Sequence, residues 1–123
     1  MAQLEEPSDY NTFLGRELSE LIILSALSHS KGYSAYRLIQ KIKEETDGKI
    51  SFRAGTIYPQ MLKLEKKGLL SKSIEDTASR SAGVKRQKSV YSLTAKGIKD
   101  LNRKRREWAD LQNVINRLIE NGT

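Results

Sequence analysis

The chain has 123 residues, a formal charge of +7, no Cys and a single His. There is room for one compact domain and one long helix but not for a separate catalytic domain, and the lack of thiols excludes disulfides, thiolate metal sites and Cys nucleophiles. Neither metal nor cofactor is expected: His29 would have to serve any zinc site or hydrolase triad alone, and it reads instead as a surface residue at a helix end.

Charge is segregated along the chain. Residues 1 to 20 hold five acids and one Arg, whereas residues 77 to 108 hold ten Lys or Arg against Asp100 and Glu107. Such a basic stripe attracts polyanions, nucleic acid first and an anionic membrane surface second, although a solvated basic face has the same composition. No apolar run approaches the roughly 18 residues a membrane span needs, and the acidic start lacks a leader pattern. A cytoplasmic location without membrane contact is expected.

Residues 1 to 12, with Glu5, Glu6, Pro7, Ser8 and Asp9, predict a flexible extension. Phe13, Leu14, Leu18, Leu21, Ile22, Leu24 and Leu27 then recur at three- and four-residue intervals, which predicts a largely buried first helix from Phe13 to Leu27. Ser28 to Gly32 breaks it. Ala35, Leu38, Ile39 and Ile42 give residues 34 to 46 the period of a second amphipathic helix, framed by Tyr33 and Tyr36 and ending before Asp47-Gly48. After a connector from Lys49 to Ala54, Ile57, Met61 and Leu64 mark a third helix, with Gly68 placed to cap its end.

The period then changes. Leu69, Leu70 and Ile74 lie in a stretch ending at Glu75-Asp76, Val90 to Leu93 is a short β-type run, and residues 77 to 87 form a basic, Gly-containing loop between them. Thr94 can cap a last helix in which Leu101, Trp108, Leu111, Ile115 and Leu118 follow a spacing of about 3.5 residues, supplemented by Ile98, Val114 and Ile119. Left uncovered, that stripe would be a large apolar surface, so a homodimer joined through Leu101, Trp108, Leu111, Ile115 and Leu118 is expected. Lys104 interrupts the stripe within Arg103-Lys104-Arg105-Arg106, a block that reads either as support for a basic field or as a solvated face.

Three helices followed by a hairpin is the layout of a winged helix, a mainly α variant of helix-turn-helix, with residues 13–93 as the DNA-binding unit and 94–120 as the dimerisation helix. The third helix offers Thr56, Gln60, Lys63 and Lys67 off its apolar face; cations hold phosphates, while hydroxyl and amide groups read base edges of double-stranded DNA. Arg80, Lys85, Arg86 and Lys88 on the wing loop can follow a phosphate backbone or enter the minor groove. Tyr58 can contact DNA or serve as a core aromatic with a wet tip, and Pro59 shapes the helix start.

Gly55-Thr56-Ile57-Tyr58-Pro59, Leu64-Glu65-Lys66-Lys67-Gly68-Leu69-Leu70, Gly32-Tyr33 and Tyr91-Ser92-Leu93-Thr94-Ala95-Lys96-Gly97 together resemble the PadR family of transcriptional regulators, over about residues 17 to 119. The resemblance implies a winged helix that dimerises through its last helix with help from the first, adding Leu14 and Leu18 to the seam. It also implies a repressor on operator DNA, palindromic by the dimer's symmetry, that is released in many members by a small, often aromatic, effector. Where the family often has Ser-Pro, this chain has Arg53-Ala54, losing a helix cap and gaining a cation that makes Arg53 a candidate DNA contact. Leu62 stands at an often polar site and is expected to pack on a neighbour rather than touch a thymine methyl. Trp108 lies where ligand-binding members carry an aromatic; it is expected to fill the seam, with stacking of an aromatic effector between two indoles as the alternative.

Rival classes fit less well. An RNA-binding winged helix needs exposed aromatics, and the wing has only Tyr91. A protein adaptor leaves the basic wing unexplained, and an enzyme needs matched acid and base groups that one His and scattered acids do not supply.

Overall fold

Apolar side chains from four helices and a two-stranded antiparallel hairpin converge on one core. The computed structural model describes residues 15–77 and 86–121. In chain order the elements are α1 (Gly15–Ser28), α2 (Ala35–Glu45), α3 (Ala54–Lys66), β1 (Leu70–Thr77), β2 (Arg86–Leu93) and α4 (Ala95–Asn121). Phe13 and Leu14 lie outside the described residues, as do Arg80 and Lys85.

The periodic positions set the helices and their burial. Ile23, Leu24 and Leu27 of α1, Leu38 and Ile42 of α2, and Ile57, Met61 and Leu64 of α3 are sealed from solvent and form one cluster with Phe52, Leu69, Leu70 and Tyr91. Ser34 caps α2, its hydroxyl accepting from the Arg37 amide at 3.2 Å. At the other end the Thr46 hydroxyl donates to the Ile42 carbonyl at 2.8 Å and accepts from the Ile50 amide at 3.0 Å, folding the connector back under the helix.

Gly68 ends α3 as expected. Its φ of 79° is a left-handed value that a Cβ would disfavour, and the Gly68 and Leu69 amides reach back to the Glu65 and Leu64 carbonyls, both at 2.9 Å. Thr94 caps α4 as anticipated, accepting from the Gly97 amide at 2.9 Å, and its hydroxyl also donates to the Gly68 carbonyl at 2.6 Å. One side chain thus ties the end of the third helix to the start of the fourth.

The hairpin differs from the sequence reading. β2 starts at Arg86, not near Val90, because the antiparallel register runs on through Ser73↔Val90, Glu75↔Lys88 and Thr77↔Arg86. These outer residues are polar on both faces, so no alternation of hydrophobicity announces the strand, yet the ladder still satisfies their amides and carbonyls. A one-residue third strand also joins the sheet, Tyr33 exchanging amide–carbonyl bonds with Tyr91 at 3.0 and 2.9 Å.

The long helix is not separate from the body. Gly97, Leu101 and Lys104 of α4 are all buried, whereas every side chain from Ala109 to Asn121 is exposed. Leu101, expected at the dimer seam, is only 2% exposed within the chain's own core, where no second copy can reach it.

Gly97 allows the close approach of α4 to the backbone just before β1. A Cβ there would collide with the Leu69 carbonyl oxygen, which is backbone and cannot swing aside. Gly97→Ala is expected to destabilise the fold by about 1–3 kcal/mol in urea denaturation, the range for a forced overpacked contact. Gly55→Ala, where a Cβ meets nothing within 4 Å, should be neutral to slightly stabilising.

Candidate nucleic-acid interface

With Ile57, Met61 and Leu64 facing inward, a helix of 3.6 residues per turn points Gly55, Pro59, Leu62 and Lys66 outward, and all four are exposed. Arg53 takes the cap position of α3 with extended backbone and no side-chain cap, leaving its guanidinium free for another role. Lys63 is exposed on the same side, and Tyr58 is 49% exposed. Among the described residues no ion pair engages Arg53, Lys63 or Lys66. Lys66 escaped the sequence reading, although its spacing from Leu62 and Pro59 places it on the same line.

Other expected contacts sit differently. Thr56 and Gln60 are half-buried at the flank of α3, and the Gln60 Oε1 is shielded from solvent. Leu62, expected to pack on a neighbour, is 47% exposed on the outward line. Lys67 is drawn away, its ammonium 2.8 Å from the Glu20 carboxylate, because Glu20 is only 8% exposed and must have a cation beside it. Arg86 and Lys88 are strand residues, Lys88 standing opposite Glu75, and not members of a flexible loop. Tyr91 is buried and burial raises its phenol above the usual 10.0, so it offers no stacking face for RNA.

Two of the four cations in the basic block of α4, Arg103 and Lys104, are paired with acids. Lys104, 5% exposed, lies 2.9 Å from Glu17, 3.4 Å from Glu20 and 3.1 Å from Asp100. What interrupts the apolar stripe is therefore the centre of a charge cluster joining α1 to α4. Arg103 is held by Asp100 and Glu107, each at 2.8 Å, and Arg105 reaches the Ser28 hydroxyl at 3.4 Å. Lys96 donates to the Lys67 carbonyl at 2.9 Å, where a cation suits the negative end of α3.

The cluster sets the titration of its members. A hydrogen bond from Lys104, opposed by partial burial, holds Glu17 below its usual 4.5. Burial pushes Asp100 up, but hydrogen bonds from Arg103 and Lys104 outweigh it and its carboxyl titrates below the usual 3.8. Burial likewise pulls Lys104 down, and its bonds to Glu17 and Asp100 overcome this to leave the ammonium above 10.5.

Beside this cluster, Trp108 is half-buried in a cleft of about 170 Å³ with Leu18, Leu21, Leu111, Glu17, Lys104 and Glu107. Beyond it the helix exposes Leu111, Val114, Ile115, Leu118 and Ile119, with Leu118 at 69%. Among the described residues no group of His, Cys, Asp and Glu could hold a metal ion, and no helix is long and apolar enough to cross a membrane.

Helix-turn-helix, two-stranded wing and long C-terminal helix define a winged-helix protein of the regulatory type. Residues 23–103 match the transcriptional regulator PadR-like family, and the chain belongs to that family, whose members are transcriptional regulators and not enzymes. Among solved structures it is similar to a transcriptional regulator from Clostridium thermocellum, at 26% identity and a TM-score of 0.72, covering 85% of this chain and 95% of that one. A PadR-like transcription factor from Bacteroides fragilis matches at 26% identity and a TM-score of 0.66, over 89% and 98% of the two chains. Bacillus subtilis PadR, solved in complex with operator DNA, matches at 28% identity and a TM-score of 0.55, over 69% of this chain and 45% of that longer one. Curated proteins give no match.

Lys104→Met should cost about 3 kcal/mol near neutral pH, because it leaves Glu20 buried with one partner fewer. In the wild type Glu17 and Asp100 titrate lower folded than unfolded, so their contribution is complete above about pH 4.5 and is lost as pH falls below 3.8. Urea denaturation from neutrality to about pH 3 should show this acid loss in the wild type and a shallower one in the variant.

Proposed function

We propose that two copies of this chain form a repressor that lays α3 of each subunit in the major groove of a palindromic operator. The observation that carries the reading is the outward face of α3, where Arg53, Lys63 and Lys66 stand exposed and, among the described residues, without acidic partners, while Lys67 and Lys104 are held by acids of α1. Cations in that position neutralise phosphates on either side of a helix seated in the groove. Arg80, Lys85, Arg86 and Lys88 of the wing segment would then contact neighbouring phosphates or the adjoining minor groove. The operator complex of the Bacillus subtilis relative, at 28% identity, supports this assignment of partner.

Dimerisation rests on the second half of α4. Leu111, Val114, Ile115, Leu118 and Ile119 are exposed along a helix whose polar remainder does not need a partner, and a second copy presents the same stripe with two-fold symmetry. Leu18 and Trp108 lie at the start of this surface, and Leu14 precedes it in the chain. Residues 13–93 then act as the reading unit and 94–120 as the connection between copies. Sedimentation equilibrium should give a dimer, and a charge placed in the stripe by Ile115→Glu should give a monomer with weakened operator binding; a concentration-independent wild-type monomer would remove this part of the reading.

DNA affinity should fall linearly with the logarithm of salt concentration, by a slope of about 0.9 per phosphate neutralised. Replacing Lys85, Arg86 and Lys88 by Ala should weaken binding to chosen and random duplexes alike and flatten that slope; an unchanged slope would show that the wing does not face the DNA.

A second reading concerns release from DNA. Trp108 walls a cleft that a second copy would face, so a planar aromatic effector could lie between two indoles. As Trp108 is the sole Trp, such a compound should quench the fluorescence saturably and lower DNA affinity by linkage.

A further inference from the structure

The line that α3 turns farthest from the core is apolar where base reading would ordinarily call for hydrogen-bonding groups. Gly55, Pro59, Leu62 and Lys66 follow one another at four-, three- and four-residue steps, and Leu62 is the only large apolar side chain among them. It stands opposite Ile57, Met61 and Leu64, far from any partner in the core. Nothing overhangs the start of this line, since a Cβ at Gly55 would find open space. The two residues suited to hydrogen-bonded readout, Thr56 and Gln60, are half-buried to one side, with the Gln60 acceptor shielded from solvent.

Resting on the DNA-reading role set out above, we propose that Leu62 is a specificity-determining residue that recognises the C5-methyl group of thymine. In the major groove every base-pair edge presents donors and acceptors, and the thymine methyl is the one apolar group among them. A Leu side chain pressed against guanine O6 and N7, or against the cytosine amino group, removes water from those atoms and returns no hydrogen bond. Thymine is therefore favoured twice, by the contact it makes and by the penalty at its competitors. Lys66, one turn beyond Leu62 on the same line, and Lys63, exposed farther round the helix, supply phosphate contacts beside it.

The test uses duplexes selected from a randomised pool by the full chain, with each thymine of the selected site replaced singly by deoxyuridine, which keeps its pairing and hydrogen-bonding groups and lacks only the methyl. One thymine in each half-site should weaken wild-type binding about fourfold on replacement, the value of one methyl group removed from water. Leu62→Ala should bind the thymine and deoxyuridine duplexes equally, with its salt dependence and thermal unfolding unchanged. Selection repeated with Leu62→Asn should move the preferred base at that position away from thymine. Wild-type binding indifferent to deoxyuridine at every thymine, or an equal loss in Leu62→Ala, would overturn the assignment while leaving DNA reading intact. A pool that yields no preferred sequence would remove the DNA-reading role and this inference with it.

Discussion

Glu20 constrains the molecule more than any other polar residue. Its carboxylate is almost fully enclosed on α1, and an enclosed charge is tolerated only with cations at hand. Lys104 comes from α4 and Lys67 from the end of α3, so one acid fixes two elements that are distant in sequence. A pair of this kind adds little net stability against a well-packed apolar alternative, because desolvation offsets the attraction. Its effect is on registry: α4 sliding by one turn along α1 would strand Glu20 and Lys104 together, whereas an all-Leu contact would tolerate the slip.

The same constraint decides which basic residues remain for an external partner. Counted along the sequence, the stretch from 77 to 108 looks like a continuous cationic stripe. Folded, Lys104 is consumed by three acids, Arg103 by two, and Lys96 by a helix-end carbonyl. Among the described residues no ion pair engages Arg53, Lys63 and Lys66 around α3 or Lys88 on the wing, and Lys99, Arg105 and Arg106 of α4 are likewise exposed outside the charge cluster. The acidic residues of α1 thus remove Lys67 and Lys104 from the charge open to a polyanion.

The helices were legible because each buries a stripe with the right period, and two of their ends because Gly68 and Thr94 are suited to capping at those positions. The outer half of β2 was hidden for the opposite reason: Gln87, Lys88 and Ser89 bury little, and pairing rather than burial makes them a strand. At the site, spacing alone located α3 and its exposed side but not the competition for its cations. Lys67 looks equivalent to Lys63 along the helix, and only the fold shows Glu20, 47 residues away, beside one and not the other. Leu101 and Lys104 likewise have the spacing of seam residues while lying on the half of α4 that the chain covers for itself.

Local propensity and outward reach compete within α3. Its first two turns contain Gly55 and Pro59, two poor helix formers, and begin at Arg53 without the side-chain cap that Ser or Asp would supply. Pro59 falls in the sixth helical position, where it forgoes the bond to the Gly55 carbonyl. Such a segment would not hold as an isolated helix, since a short helix depends on packing more than on propensity. Ile57, Met61 and Leu64, all sealed in the core, and the Gly68 cap supply the stability from behind and below. The return is an outward line with little bulk at its start, where Gly55 and Pro59 precede Leu62 and Lys66 and all four are exposed. Bulkier, better helix formers at those positions would strengthen the helix and hold any facing surface farther from its backbone.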